Sequence, residues 1–218
     1  MKKGWIVVEE RLEANEIEKK SPSLWGILWS PSEHFARIKE KPKIWGPLLM
    51  IILVFSIGMI IVTTNTESGN EGLPEELAPF LVIGSIIAGV IVPIVTAFIG
   101  TLVYLLIARL ARSNVSFRQL FSMNVYLLIL TALGMIVNGI GMVITGSSTT
   151  TFTSLTTLIP ADGALKAVFD NIEVFSIWSV ILSAIGLQKV ASFSKELAWG
   201  VSIGFYMLSI FFSMIGWA

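Results

Sequence analysis

The 218-residue chain contains no cysteine and very little charge. Without cysteine there can be no disulfide, thiolate nucleophile or cysteine-ligated zinc. Charged residues make up 14% of the chain and hydrophobic residues 54%, whereas soluble domains are about 25% charged. This deficit predicts a protein whose solvent is the lipid bilayer. The formal net charge is zero, so no overall basic field suggests nucleic acid as a partner.

Long apolar runs occupy most of the chain. A helix needs about 20 apolar residues to cross the hydrocarbon of a membrane. We therefore predict an all-α polytopic membrane protein whose residues 44–218 form five transmembrane helices, at about 44–64, 79–108, 120–145, 172–187 and 197–217. The second run is too long to stand upright, and Pro93 near its middle is the predicted kink point. The alternative is that this run divides at Pro93 into a re-entrant pair.

The amino-terminal region is predicted to lie outside the membrane core. Residues 1–23 read as a cytosolic tail, because their only apolar stretch is too short for the core of a signal peptide. Residues 24–43 read as an amphipathic segment on the cytosolic membrane surface, since Phe35 and Ile38 share one helix face and tryptophans flank them. The sole histidine, His34, falls in this segment and is expected to be solvated.

Helix-start signals mark two interfacial helices. Ser30 precedes a proline and is the predicted N-cap of the first. Asp162 is the predicted cap of a second interfacial helix, which lies just before the fourth apolar run.

Lysine and arginine lie almost entirely on one side of the predicted membrane. Fourteen of the fifteen fall in the tail and in the connections of that side, and only Lys166 falls on the other. Cytosolic connections retain positive charge. We therefore predict a multi-pass protein of the cell membrane with its amino terminus in the cytosol and its carboxyl terminus outside.

The predicted spans contain no ionisable residue near their centres. Such residues mark most intramembrane reaction and proton-transfer sites. The sequence also lacks the patterns of zinc proteases, nucleotide-binding loops and EF-hands. We expect no enzymatic activity, and no catalytic, cofactor-binding or metal-binding residues.

Small, uncharged polar residues are what the spans carry instead. Pairs four residues apart, such as Ser85 and Gly89, allow helices to approach closely. One interpretation is ordinary helix packing. The other is a polar groove for a solute or a partner helix. The candidate residues for a helix interface or groove are Pro93, Asn124, Tyr126, Asn138, Ser179 and Ser183.

The segment NIEVFSIWSVILSAIGLQKVASFSK, residues 171–195, carries a family signature. It resembles the bacterial branch of the YIP, or Ypt-interacting-protein, family of polytopic membrane proteins. The matching positions are Asn171, Phe175, Ser176, Trp178, Leu182, Gly186 and Leu187. The segment KIWGPLL is similar to a motif of the eukaryotic members through Gly46 and Pro47, although Lys43 replaces an acidic residue. The resemblance implies five membrane helices, a cytosolic amino terminus and no enzymatic activity.

The leading functional hypothesis is a non-enzymatic integral membrane protein that binds or organises a membrane partner. The expected contacts are the lipid bilayer and either another membrane protein or a second copy of the chain. The resemblance implies an accessory role to an ABC-type exporter, including defence of the envelope against toxic peptides. It does not bring over the Rab-type GTPase partner of the eukaryotic relatives, because the acidic motif residue is missing. The alternative is a small transporter or channel subunit, suggested by Pro93 and by the asparagines of the third span. An intramembrane enzyme is the third and weakest hypothesis.

Overall fold

The computed structural model describes residues 21–65, 78–146 and 152–215. These residues form eight α-helices and contain no β-strand. The helices are α1 (Gly26–Trp29), α2 (Pro31–Glu40), α3 (Trp45–Asn65), α4 (Ala78–Leu110), α5 (Phe117–Thr145), α6 (Gly163–Asn171), α7 (Val174–Val190) and α8 (Lys195–Ile215). One turn of 3₁₀-helix, Leu155–Thr157, lies between α5 and α6. The prediction of an all-α fold is confirmed. The predicted tail lies almost wholly outside the described residues.

Four of these helices, α3, α4, α5 and α8, are long and apolar enough to cross a membrane. The fifth predicted span is α7, which is apolar but has only 17 residues. The chain is therefore a polytopic membrane protein. The α4 helix has 33 residues and continues through Pro93 without interruption. At about 1.5 Å per residue it is longer than the membrane is thick. The single helix excludes a division of this run into a re-entrant pair.

The α5 helix is the centre of the bundle. Residues 122–130 are buried without a break, because other helices surround this part of α5. The α3 and α4 helices pack against α5 and against each other, α7 packs on α5, and α8 packs on α7. In contrast, α4 has few contacts with α8. These two helices meet at the rings of Tyr104 and Phe205, whose centroids are 5.5 Å apart.

Glycines permit the closest helix crossings. A Cβ atom at Gly89 of α4 would lie 2.4 Å from the Cα atom of Ser56 on α3, so the two backbones touch there. At Gly186 of α7, a Cβ atom would lie 3.0 Å from the sulfur of Met123 and 3.2 Å from the ring of Phe35. The absence of a side chain at Gly186 lets α2 and α5 pack on α7.

The two ends of the bundle differ in charge. The basic end comprises α2, the α4–α5 turn and the α7–α8 turn, and it holds Arg37, Lys39, Lys41, Lys43, Arg109, Arg112, Arg118, Lys189 and Lys195. The acidic end holds Asp162, Asp170 and Glu173, together with Lys166, which pairs with Asp170. This segregation follows the distribution on which the predicted orientation rests. The orientation itself stays a prediction.

The expectation that His34 is solvated is wrong. Its side chain is 7% exposed, and its Nδ1 atom accepts a hydrogen bond of 2.9 Å from the backbone N–H of Ser23. The short α1 helix folds back over α2, and a Cβ atom at Gly26 would lie only 2.1 Å from Nε2 of the imidazole. Burial, followed by the positive charge of Arg37, lowers the pKa of His34 below its usual value.

The apolar face of α2 meets protein. Phe35 and Ile38 are completely buried, and α2 packs on α7 and α5. The two predicted N-cap residues occupy the N-cap positions, but their side chains do not cap the helices. Ser30 and Asp162 are the N-caps of α2 and α6, but neither side chain accepts a capping hydrogen bond.

Candidate functional site

A groove opens between α4 and α8 and is floored by α5 and α7. It consists of two adjoining cavities that share Tyr104 and Phe205. The first has a volume of about 450 Å³, and its walls are mainly apolar. The second has a volume of about 260 Å³ and is lined by hydroxyl groups. We call this feature the α4–α8 groove. Where the two cavities adjoin, α4 and α8 meet at the rings of Tyr104 and Phe205.

Hydroxyl groups from four helices converge on the second cavity. They belong to Tyr104, Thr131, Ser176, Ser179, Ser183, Ser202 and Tyr206. The three serines of α7 lie on one helix face, because residues three, four and seven apart align along a helix. No charged side chain lines this cavity. The groove is therefore polar and uncharged within an apolar bundle.

Several of the groove hydroxyls form hydrogen bonds with other groups of the protein. The hydroxyl of Tyr206 donates to the backbone oxygen of Asn171 at 2.9 Å, and Tyr104 interacts with the hydroxyl of Ser183. Ser202 differs, because its residue is 3% exposed and its Oγ atom has no hydrogen-bond partner among the described residues. Buried polar atoms are nearly always paired, so an unpaired hydroxyl in this position requires an explanation.

Asn124 joins α5 to α4 beside the first cavity. Its Nδ2 atom donates to Oγ1 of Thr101 at 2.9 Å, and that hydroxyl donates to the backbone oxygen of Ala97 at 2.6 Å. Gly100 leaves space for the amide, since a Cβ atom there would lie 3.5 Å from Oδ1 of Asn124. Asn124 also lines the cavity. It therefore stabilises a helix contact and offers a polar edge to the groove.

Asn138 lies at the acidic end and does not itself line the groove. Its Nδ2 atom donates to Oε1 of Glu173 at 2.6 Å, and its Oδ1 atom accepts the backbone N–H of Thr153 at 2.9 Å. The hydroxyl of Thr153 lies within 2.9 Å of both Oδ1 of Asn138 and Oε1 of Glu173. Ser176 donates to Oε2 of the same carboxylate at 3.1 Å. This cluster attaches the segment after α5 to the start of α7.

The amino end of α7 is a favourable place for this carboxylate. Glu173 is the N-cap of α7, where the helix dipole stabilises negative charge. A backbone bridge between Ser154 and Glu173, and a hydrogen bond of 2.9 Å from Leu155 N–H to the oxygen of Ile172, reinforce the attachment. The sequence places Glu173 at a span boundary but does not indicate these partners, because they are far away in the chain.

The structure separates the six candidate residues into two groups. Asn124, Ser179 and Ser183 line the groove. The other three lie in interfaces: Pro93 is buried in α4, Asn138 belongs to the acidic-end cluster, and the hydroxyl of Tyr126 donates to the backbone oxygen of Pro22 at 3.2 Å. Sequence reasoning missed Tyr104, Thr131, Ser202 and Tyr206. The spacing of Ser202 and Tyr206, four residues apart on α8, is the one signal that could have found part of this set.

The family-motif residues lie mainly at helix contacts. Asn171 ends α6, where its side-chain amide donates to the oxygen of Ala167 at 2.8 Å. Phe175 and Trp178 of α7 pack against the buried core. Gly186 allows the crossing of α2, α5 and α7 described above. Gly46 and Pro47 lie in the first turn of α3, and Gly46 has open space around it.

The described ranges contain no group of three histidine or acidic side chains that could hold a metal ion. The fold and the groove therefore define an all-α integral membrane protein with an uncharged polar cleft between its helices.

Comparison with known proteins identifies the family. A family model described as Yip1 domain matches residues 25–216, and the chain belongs to this family. It is 32% identical over 207 residues to membrane protein YknW of Bacillus subtilis (strain 168), a match that covers 89% of this chain and 90% of that protein. No solved structure matches the chain. The comparisons confirm the resemblance to the bacterial branch of the family.

Proposed function

We propose that this protein binds a partner inside the membrane and that the α4–α8 groove receives a transmembrane helix of that partner. The observation that carries the proposal is the buried Oγ atom of Ser202, which has no hydrogen-bond partner among the described residues. Because this atom is buried, the entering helix must displace the groove side chains that cover it, and a serine, threonine or backbone carbonyl of that helix would then satisfy the hydroxyl. The specific form of the proposal is an accessory role to an ABC-type exporter, including defence of the envelope against toxic peptides.

The chemistry of the groove matches a helix of mixed composition. Transmembrane helices associate through small residues and through hydrogen bonds of serine, threonine and asparagine, each worth about 0.6–2 kcal/mol. The hydroxyl-lined cavity offers such bonds, and the apolar cavity beside it offers surfaces of Val95, Ile99 and Val103. One end of the entering helix segment would contact hydroxyls, and the next turns would contact aliphatic side chains.

A transporter or channel is the second candidate, because a cavity of about 450 Å³ lies beside Asn124. Two observations make it the weaker proposal. The walls of that cavity are mainly aliphatic and aromatic, and the Nδ2 atom of Asn124 is already bonded to Thr101. An aqueous path for an ion or polar solute needs polar groups that remain available along its length.

Site-directed photo-crosslinking in native membranes tests the proposal. A photoreactive amino acid is placed at Val180, which lines the groove, and in a control at Leu53, which is 60% exposed on α3. We expect Val180 to capture an integral membrane protein, identified by mass spectrometry and confirmed by reciprocal purification, whereas Leu53 does not. In a Ser202→Val background the Val180 adduct should decrease. Ser209→Val, an exposed position further along α8, is the matched control.

The identity of the adduct separates the alternatives. An exporter subunit would support the accessory role, and a second copy of the chain would replace it by homo-oligomerisation. Equal capture from both positions, or capture that is insensitive to Ser202→Val, would contradict the groove as the binding site. Solute flux through liposomes that contain the purified protein alone would support the transporter instead.

A further inference from the structure

A second cavity of a different character lies at the basic end. It has a volume of about 650 Å³ and is enclosed by α2, the α4–α5 turn and the α7–α8 turn. Its polar lining consists of Lys39, Arg112, Ser113, Asn114, Gln119, Ser192 and Ser194. No acidic side chain among the described residues lines it. Glu40 and Glu196 are near in the sequence, since Glu40 follows Lys39 and Glu196 precedes Leu197. The cavity is therefore cationic and rich in hydrogen-bonding groups.

Hydrogen bonds between the three segments hold the walls in position. The ammonium of Lys39 donates to Oγ of Ser192 at 2.8 Å, and Nε2 of Gln119 donates to the backbone oxygen of Lys39 at 2.6 Å. The hydroxyl of Ser113 donates to the backbone oxygen of Ala191 at 2.5 Å. Each bond joins parts of the chain that are far apart in sequence. The cavity thus belongs to the fold and does not depend on a single loop.

Neither cation of the cavity pairs with a carboxylate of residues 21–65, 78–146 or 152–215. Lys39 is bonded to a neutral hydroxyl, and Arg112 makes no ion pair within the described part of the chain. Arg37, which also belongs to α2, differs from these two cations because it pairs with Glu33. Lysine and arginine that converge without an acid form a suitable site for an anion, and arginine matches phosphate oxygens in pairs.

The tryptophans at this end of the bundle indicate the depth of the cavity in the membrane. Trp29 and Trp45, at the same end of the bundle, are 81% and 77% exposed. Exposed tryptophans of membrane proteins favour the boundary between hydrocarbon and water. The cavity is also bounded by the ends of helices, because α4 ends at Leu110 and α8 begins at Lys195. A phospholipid phosphate would therefore lie at the depth of Lys39 and Arg112.

We infer that this cavity binds the headgroup of an anionic phospholipid, with Lys39 and Arg112 contacting the phosphate. Gln119, Asn114 and the serine hydroxyls are placed to contact the polar remainder of the headgroup. The volume lies within the usual range of ligand sites, about 300–1,000 Å³. Basic pockets between membrane helices are typical sites for such headgroups. The lipid would connect α2 to the two turns from which the long helices α5 and α8 begin.

Binding of short-chain lipids to the purified full-length protein in mild detergent tests this inference. The probes are dioctanoyl phosphatidylglycerol, dioctanoyl phosphatidylcholine and inorganic phosphate, and affinity is measured by thermophoresis. We expect phosphatidylglycerol to bind in preference to the other two. The double variant Lys39→Gln/Arg112→Gln should bind at least about tenfold more weakly, because it loses two charge-assisted contacts.

The matched control is Arg109→Gln/Arg118→Gln. It removes the same charge from two exposed arginines at the same end that do not line the cavity. Its affinity should equal that of the unchanged protein, and the melting temperature of every variant verifies folding. If the first double variant unfolds, Arg112→Gln alone serves, because Arg112 is exposed and has no ion pair among the described residues.

Three results would overturn the inference. Equal weakening in both double variants would show that only the overall charge of the basic end matters. Equal binding of phosphatidylcholine would show that the cavity does not select an anionic headgroup. Displacement of phosphatidylglycerol by an equal concentration of inorganic phosphate would assign the site to the free anion and not to a lipid.

Discussion

The crossing of α3 and α4 provides the sharpest test of the fold. A Cβ atom at Gly89 would lie 2.4 Å from Cα and 2.7 Å from the backbone nitrogen of Ser56. Non-bonded carbon atoms prefer separations of about 3.5–4.0 Å, so Gly89→Ala must move the two helices apart by about 1 Å. Overpacking of this kind costs about 1–3 kcal/mol. Because the obstacle is backbone and cannot rotate away, we expect about 3 kcal/mol, the upper end of this range.

Gly84 of the same helix is the matched control. A Cβ atom at Gly84 would have nothing within 4 Å. Gly84→Ala should therefore leave the free energy of unfolding unchanged or raise it by about 0.5–1 kcal/mol, the usual advantage of alanine over glycine in a helix. Unfolding is measured by titrating the purified protein in mild detergent with a denaturing detergent, and is followed by tryptophan fluorescence and circular dichroism.

The difference in unfolding free energy between Gly89→Ala and Gly84→Ala tests whether α3 and α4 touch at Ser56. If Gly89→Ala and Gly84→Ala were equally stable, the close approach at Ser56 would not exist in the folded protein. A further variant sharpens the result. Adding Ser56→Gly to Gly89→Ala should not restore stability, because the Cα and nitrogen of residue 56 remain in place. Full restoration would contradict a contact between the backbones.

Two further predictions concern titratable groups outside the helix bundle's centre. Burial and Arg37 lower the pKa of His34, so the unfolded chain takes up a proton at a higher pH than the folded chain does. The contribution of His34 to the free energy of unfolding is therefore complete above the usual pKa of 6.5 and is lost as the pH falls below it. Thermal unfolding from about pH 8 to pH 5 should show this loss, and His34→Gln should flatten it. Glu173→Gln should weaken the acidic-end cluster by about 1–2 kcal/mol and accelerate hydrogen exchange of the Thr153 amide, whereas Asp170→Asn should leave that exchange unchanged. Fast exchange of this amide in the unchanged protein would contradict the cluster.

The helices of the bundle follow closely from the sequence. A helix covers Ala78–Leu110 where the second span is predicted at 79–108, and another covers Phe117–Thr145 where the third is predicted at 120–145. Apolar runs of this length have few alternatives, because a backbone in hydrocarbon must satisfy its own hydrogen bonds. Predictions that depended on a single polar side chain succeeded less well. His34 was expected to be solvated, but burial is decided by the fold of α1 across Gly26, which no local pattern encodes.

The candidate site was only partly predictable for a related reason. The spacing of Ser179 and Ser183 shows that they share one face of a helix, but the same spacing occurs in tight packing and in an open groove. The difference depends on the partner helix. Here α4 and α8 meet at the rings of Tyr104 and Phe205, and the cavity lined by Ser179 and Ser183 lies beside them. The partners of Asn138 could not be predicted, because Thr153 and Glu173 approach it only when α5 and α7 pack together.

The pattern of hydrogen bonds separates the buried hydroxyls that their own helix satisfies from a buried hydroxyl that it does not. Ser85 donates to the oxygen of Leu81 at 2.8 Å, and Thr101 donates to that of Ala97 at 2.6 Å. Such hydroxyls are satisfied by their own helix and need no partner in the membrane. Ser202 is buried just as fully, but its hydroxyl is not satisfied in this way or by any other described residue. An unpaired polar group in hydrocarbon costs several kcal/mol, and this cost is the physical basis for proposing that the groove beside Ser202 binds another helix.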